Sequence, residues 1–106
     1  MNIQQMMKQA QIMQQRMEEM QERLGDTEVE GSAGGGLVNV VMTCKGEVRK
    51  LSISPDVIVP AERETLEDLI MVALNMAKQR ADATLADETK KMMADMGMPA
   101  NMKLPI

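Results

Sequence analysis

Histidine is absent from the 106-residue chain, cysteine occurs once, and phenylalanine, tyrosine and tryptophan are missing altogether. Without histidine, neither a Ser-His-Asp nor a Cys-His arrangement can be assembled, and Cys44 alone cannot make a zinc site of the cysteine-histidine kind. The acidic residues lack calcium-loop spacing, and no glycine-rich run ends in the Lys-Ser/Thr pair of a phosphate-binding loop. We therefore expect no enzyme, no catalytic residues, no cofactor and no metal. A lone cysteine excludes an internal disulfide, and no basic start followed by an apolar run announces export or a membrane span. A reduced cytoplasm and no membrane partner are the expectation. Missing aromatic rings argue against single-stranded nucleic acid, whose bases are usually stacked on such rings. A net charge of -4 and a pI near 4.8 exclude a generic polycation that coats nucleic acid by charge alone.

What is present is organised in three segments, read as a single domain over 1–106. From Ile3 to Leu24 the residues Ile3, Met6, Ala10, Met13, Met17, Met20 and Leu24 alternate steps of three and four, a narrow heptad seam that one helix offers to one other helix. Its remaining surface is polar, with Gln4, Gln5, Gln9, Gln11, Gln14 and Gln15, and Gly25 is expected to stop it, giving a helical arm over 1–25. Three strands are expected within 26–55: Thr27 to Ser32, Leu37 to Cys44 and Glu47 to Ser54. Gly34 to Gly36 divide the first pair and Lys45-Gly46 reads as a tight hairpin. Val38, Val40, Met42 and Cys44 form the core face of the middle strand, with Leu37, Asn39, Val41 and Thr43 on the other face. Leu51 and Ile53 form the apolar face of the third strand, which Pro55 ends.

A second, long helix is expected over 60–96, opened by Pro60 and by Glu62, Glu64, Glu67 and Asp68 at its positive end. Leu66, Leu69, Ile70, Ala73, Leu74, Ala77, Ala81 and Leu85 give it an apolar face, and Gly97 and Pro99 close it. The segment 97–106 is expected to be loose or docked on a partner surface. Strands of eight residues reach about 27 Å and the long helix about 50 Å, so roughly half of that helix must project beyond the sheet. The first helix, with its single seam, is the natural partner for the overhang. The fold class is therefore α+β: helix, three-stranded antiparallel sheet, long helix. A three-stranded sheet leaves edges and a partly covered face, which pairing with a second copy remedies, so the expectation is a homodimer with two helical arms.

The run Val29-Glu30-Gly31-Ser32-Ala33-Gly34-Gly35-Gly36-Leu37-Val38, with Gly46-Glu47-Val48 and Leu51-Ser52-Ile53-Ser54-Pro55, resembles the YbaB/EbfC family of bacterial nucleoid-associated proteins. Leu66-Glu67-Asp68-Leu69-Ile70 with Ala73, Asn75 and Ala77, and the opening rich in methionine and glutamine, extend the resemblance over nearly the whole chain. It implies a helix, three strands and a helix in a tweezer-like homodimer that binds double-stranded DNA and alters its shape. It also implies a cytoplasmic, nucleoid location in bacteria and a role in chromosome organisation. No catalytic residue and no compact DNA-binding motif come with it.

Candidate DNA contacts are Lys45, Arg49 and Lys50 on the hairpin and Lys8, Arg16, Arg23, Lys78, Arg80, Lys90 and Lys91 on the helices. Each of them alone is more simply a solvated surface charge, and only the set carries weight. Lys8 and Arg16 stand apart because no acid occurs from Met1 to Met17, while Lys90 and Lys91 have Asp87 and Glu88 as competing partners. The heptad methionines are core rather than a soft-metal surface, the glycine run is a turn rather than a phosphate cradle, and Cys44 is a small buried hydrophobe. The alternative to a DNA binder with little sequence specificity is a dimeric scaffold for other proteins, in which DNA binding is incidental or absent.

Overall fold

The computed structural model describes residues 2–97. The element order is helix, three strands and helix: α1 (Ile3–Asp26), β1 (Glu28–Ala33), β2 (Val38–Thr43), β3 (Val48–Ile53) and α2 (Arg63–Asp95). The strands form one antiparallel sheet in the order β1-β2-β3. The tail beyond Gly97, expected to be loose or docked, lies outside the described residues.

α1 begins where the Asn2 side chain accepts the Gln5 backbone N–H at 2.8 Å, satisfying one of the free donors of the first turn. Its end differs from expectation. Gly25 does not stop the helix, which continues to Asp26 and passes directly into extended backbone at Thr27. No left-handed glycine is needed because the last carbonyls find partners elsewhere. Thr27 donates its N–H and its hydroxyl to Arg23 O, Cys44 N–H donates to Leu24 O, and Arg49 donates from its guanidinium to Gly25 O at 3.0 Å. Arg49 is delivered by a bulge: Val41 pairs with Lys50 and Met42 with Val48, leaving Arg49 as the extra residue of β3. Cys44 likewise leaves the ladder, since β2 ends at Thr43, and its N–H is shared between Leu24 O and Thr27 O.

α2 is preceded by a tight turn of helix, Pro60–Glu62, so that the long helix proper starts at Arg63 rather than at Pro60. It lies across β1 and β2. There Ala73, Ala77 and Ala81, all 0% exposed, pack on Ala33, Val38, Val40 and Met42. The alanines let the helix approach so closely that a Cβ built on Gly31 would stand 2.1 Å from Ala73 O. The free side of β1 is also occupied, because Arg80 donates to Glu30 O at 2.8 Å and Ser32 N–H faces the Met76 sulfur.

Past the sheet, α2 meets α1. Met20, Leu24, Cys44 and Met92 form a second buried cluster, with Met17, Leu85 and Met96 against it. The heptad seam is thus used over its C-terminal half only. Met13 and Met17 are half-buried, while Ile3 and Met6 remain 75% and 55% exposed. The result is a rod of 69 × 22 × 17 Å: a sheet platform at one end and a helical arm at the other.

Two burial expectations are corrected. Leu51 opposes Val40 on the core side of the sheet yet is 47% exposed, and Val48 beside it is 45% exposed, because α2 covers β1 and β2 and stops short of the third strand. Thr43, expected outward, is buried, and its hydroxyl accepts the Glu47 N–H where the hairpin folds over it.

Candidate nucleic-acid interface

The glycine run behaves as a turn. Gly34, Gly35 and Gly36 all have positive φ (64°, 68° and 100°), and Asn39 donates its side-chain amide to Gly36 O, so the carbonyl faces the chain's own residue. Among the described residues no group of His, Cys, Asp and Glu is placed to hold a metal ion. Cys44 is buried beside Met20 and Leu24 as a small apolar side chain. No helix among the described residues is long and apolar enough to cross a membrane.

What remains for function is the distribution of charge along the rod. Five of the ten candidate cations are engaged by the protein's own oxygens. Arg23 and Lys91 share Glu88 at 3.5 and 3.8 Å, Lys78 pairs with Asp82, Arg49 with Glu47 and Gly25 O, and Arg80 with Glu30 O. Lys8, Arg16, Lys45, Lys50 and Lys90 are exposed and make no ion pair with the described residues. Lys45 lays its aliphatic stem over Gly25 at the base of the arm. Lys50 opposes Val41, on the sheet face away from α2.

The candidates therefore do not converge on one patch. A groove of about 470 Å³ between α1 and the end of α2 gathers Arg16, Arg23 and Lys91, but Glu19, Glu88 and Asp95 line it too. Its charges balance, so this groove is no clamp for phosphate. Beyond it the balance breaks. α1 carries no acid before Glu18, so Lys8 stands unopposed on the outer part of the arm, while Arg16, without an ion pair among the described residues, lies at the inner end of that stretch where it also borders the charge-balanced groove. In a chain of net charge -4 this is the longest acid-free stretch of helix, and a polyanion meets little repulsion there. Ile12, which the heptad reading passes over, is 40% exposed and lines an open apolar hollow with Met6, Ala10, Met13 and Met96 beside the end of α2.

Comparison with known proteins places this geometry in context. The sequence model of the YbaB/EbfC DNA-binding family matches residues 1–96. A nucleoid-associated protein of Granulibacter bethesdensis is 47% identical over 98% of this chain and 97% of its own length. Another from Rickettsia bellii is 45% identical over the same shares. Among solved structures, an uncharacterised protein from Helicobacter pylori superposes with a TM-score of 0.79 at 22% identity, over 88% of this chain and 98% of that one, a likeness of fold.

Proposed function

Because the chain belongs to the YbaB/EbfC DNA-binding family, we propose that it binds duplex DNA as a homodimer, with little sequence specificity, and alters the conformation of the duplex in the bacterial nucleoid. The observation that carries this reading is the sorting of charge along the rod: an acid-free outer arm on an acidic protein. Lys8 and Arg16 supply phosphate contacts there, and the glutamines around them approach phosphates without repulsion. Lys45, Lys50 and Lys90 are further contacts that the fold leaves available. Arg23, Arg49, Lys78, Arg80 and Lys91 would have to exchange internal partners for phosphates, and they contribute less.

The homodimer is supported by the uncovered side of β3. Val48 and Leu51 stand exposed on the core side of the sheet, beside an outer edge that no described strand pairs, and Ile58 and Val59 follow at 59% and 45% exposure. Exposed apolar side chains beside an open strand edge are what a second copy covers. Two copies joined there would hold two arms on one platform.

The test is fluorescence anisotropy with several unrelated labelled duplexes at low salt. Affinities within about tenfold of one another are expected if the phosphate backbone supplies most of the binding. Binding to one duplex alone, or to none, would contradict the reading.

A further inference from the structure

α1 runs on past the end of α2, and its apolar seam runs on with it. α2 ends at Asp95, and Met96 behind it stands against Met6, Ala10 and Met13 in an open hollow of about 470 Å³ that Ile12 and Arg16 also border. Farther out the seam has no cover among the described residues: Ile3 is 75% and Met6 55% exposed, with Met7 beside them at 59%. From Met13 to Ile3 this uncovered seam measures about 15 Å at ~1.5 Å per residue. The outer turns of α1 hold no acid for Lys8 to pair with, and a helix of fewer than about 12 residues is marginal in water unless its apolar face is packed.

The chain carries a segment of matching form at the right place. Gly97, with φ of 74°, takes the backbone out of α2 next to the hollow that Met96 lines. The segment 98–106 that follows lies outside the described residues, and its sequence alternates strictly: Met98, Ala100, Met102, Leu104 and Ile106 are apolar, with Pro99, Asn101, Lys103 and Pro105 between them. A period of two sets the apolar members on one face of an extended chain. Pro99 and Pro105 cannot continue a helix, and they bias Met98 and Leu104 before them to extended backbone. We propose that this segment lies extended along the uncovered seam of α1 in its own chain, apolar face inward, from Met13 out towards Ile3. Reach allows it, because from Met98 to Ile106 an extended chain spans about 26 Å at ~3.3 Å per residue. Direction favours it, because α2 already climbs α1 towards its N-terminus: Thr89 stands against Met20, and Met96 against Met13.

A second copy of α1 is the weaker occupant of this surface. From Ile3 to Met13 the seam is roughly one and a half heptads long, whereas pairing of two helices on such a seam is sustained over about three or four. The segment beyond Gly97 is already tethered at the hollow, so its docking is an intramolecular step at high effective concentration. It brings Lys103 and no acid, so the outer arm stays acid-free once covered. The docking holds whether or not the arm binds DNA.

Amide hydrogen exchange on the full chain reads this cover directly. Met102→Ser with Leu104→Ser should lower the protection of residues 6–13 about tenfold and leave residues 17–24 unchanged. Asn101→Ser with Lys103→Ser alters the other side of the same segment and should leave both stretches unchanged. A nitroxide on Asn101→Cys, with Cys44 buried and out of reach of the reagent, should broaden the amide signals of Met6 and Ala10 in its own chain. It should not broaden them in an isotope-labelled, nitroxide-free chain mixed with it. Protection of residues 6–13 that survives Met102→Ser with Leu104→Ser overturns the proposal, and if that protection rises with protein concentration it assigns the seam to the arm of a second copy. Equal loss from both pairs of substitutions overturns it too, since the apolar face would then have no special part. Broadening in the mixed chain moves the segment onto a partner and overturns the docking within one chain, and broadening in neither chain overturns it outright.

Discussion

Replacing Gly31 by alanine tests the packing that holds the arm to its platform. The added methyl would lie 2.1 Å from Ala73 O, 2.7 Å from Ala77 N and 2.9 Å from Ala77 Cβ. Two of these are backbone atoms of α2 and cannot swing aside, so the helix itself must retreat by roughly 1 Å. A gap of that size forfeits a quarter to a half of each dispersion contact along the interface, which here is the fully buried row Ala73, Ala77 and Ala81. Overpacking of this kind costs about 1–3 kcal/mol, and backbone obstacles place it near the top of that range. The opposing term is small. Gly31 has no positive φ, so alanine fits its backbone and lowers the entropy of the unfolded chain by about 0.4–1 kcal/mol. The net expectation is a loss of about 2 kcal/mol, or roughly 10 °C in Tm for a chain of this size, followed by circular dichroism at fixed protein concentration. Adding Ala77→Gly removes the Cβ contact but not the clash with Ala73 O, so it should rescue only a fraction of the loss. Gly35→Ala is the contrasting case: nothing lies within 4 Å of the new methyl, but φ is +68°, and the cost of about 1–2 kcal/mol is all backbone strain. A Gly31→Ala protein as stable as the unaltered one would refute the close approach of α2 to β1.

Leu24→Ala should cost about 2–5 kcal/mol in denaturant unfolding, since Leu24 is 2% exposed within the cluster that joins α1 to α2. Leu51→Glu places a charge on the uncovered side of β3, and light scattering should then find a monomer that keeps its helix content; an unchanged dimer would locate the interface elsewhere. Arg23→Ala should change stability by less than about 0.5 kcal/mol, because its pair with Glu88 is exposed and long at 3.5 Å. Asn2→Ala removes the cap of α1 and should cost about 1 kcal/mol, read as earlier fraying of the outer arm in amide hydrogen exchange.

The element order, the three strands and the two helices are legible from periodicity alone, because steps of three and four (Ile3 to Leu24) and of two (Val38 to Cys44) each force one buried face. What periodicity cannot supply is which face is covered and by what. Leu51 has the pattern of a core residue and opposes one, yet the width of α2 stops short of β3. Gly25 has the composition of a helix stop, but Thr27, Cys44 and Arg49 supply donors to the last carbonyls, two of them from residues distant in sequence. Gly31 reads as an ordinary strand glycine until the helix above it is placed. The acid-free stretch before Glu18 was visible in the sequence, whereas the engagement of Arg23, Arg49, Lys78, Arg80 and Lys91 by the protein's own oxygens depends on the fold.

A protein of net charge -4 that grips the duplex backbone through charge localised on its arms must show it in the salt dependence of binding. Log K should fall linearly with log salt, and Lys8 and Arg16 from two protomers should account for roughly 3 to 4 units of the slope, about 0.9 for each contact. Lys8→Gln with Arg16→Gln should flatten the slope by that amount, leaving only what Lys45, Lys50 and Lys90 contribute. A slope already near zero in the unaltered protein, or one that survives the double substitution unchanged, would mean that the charge of the arms does not hold the duplex.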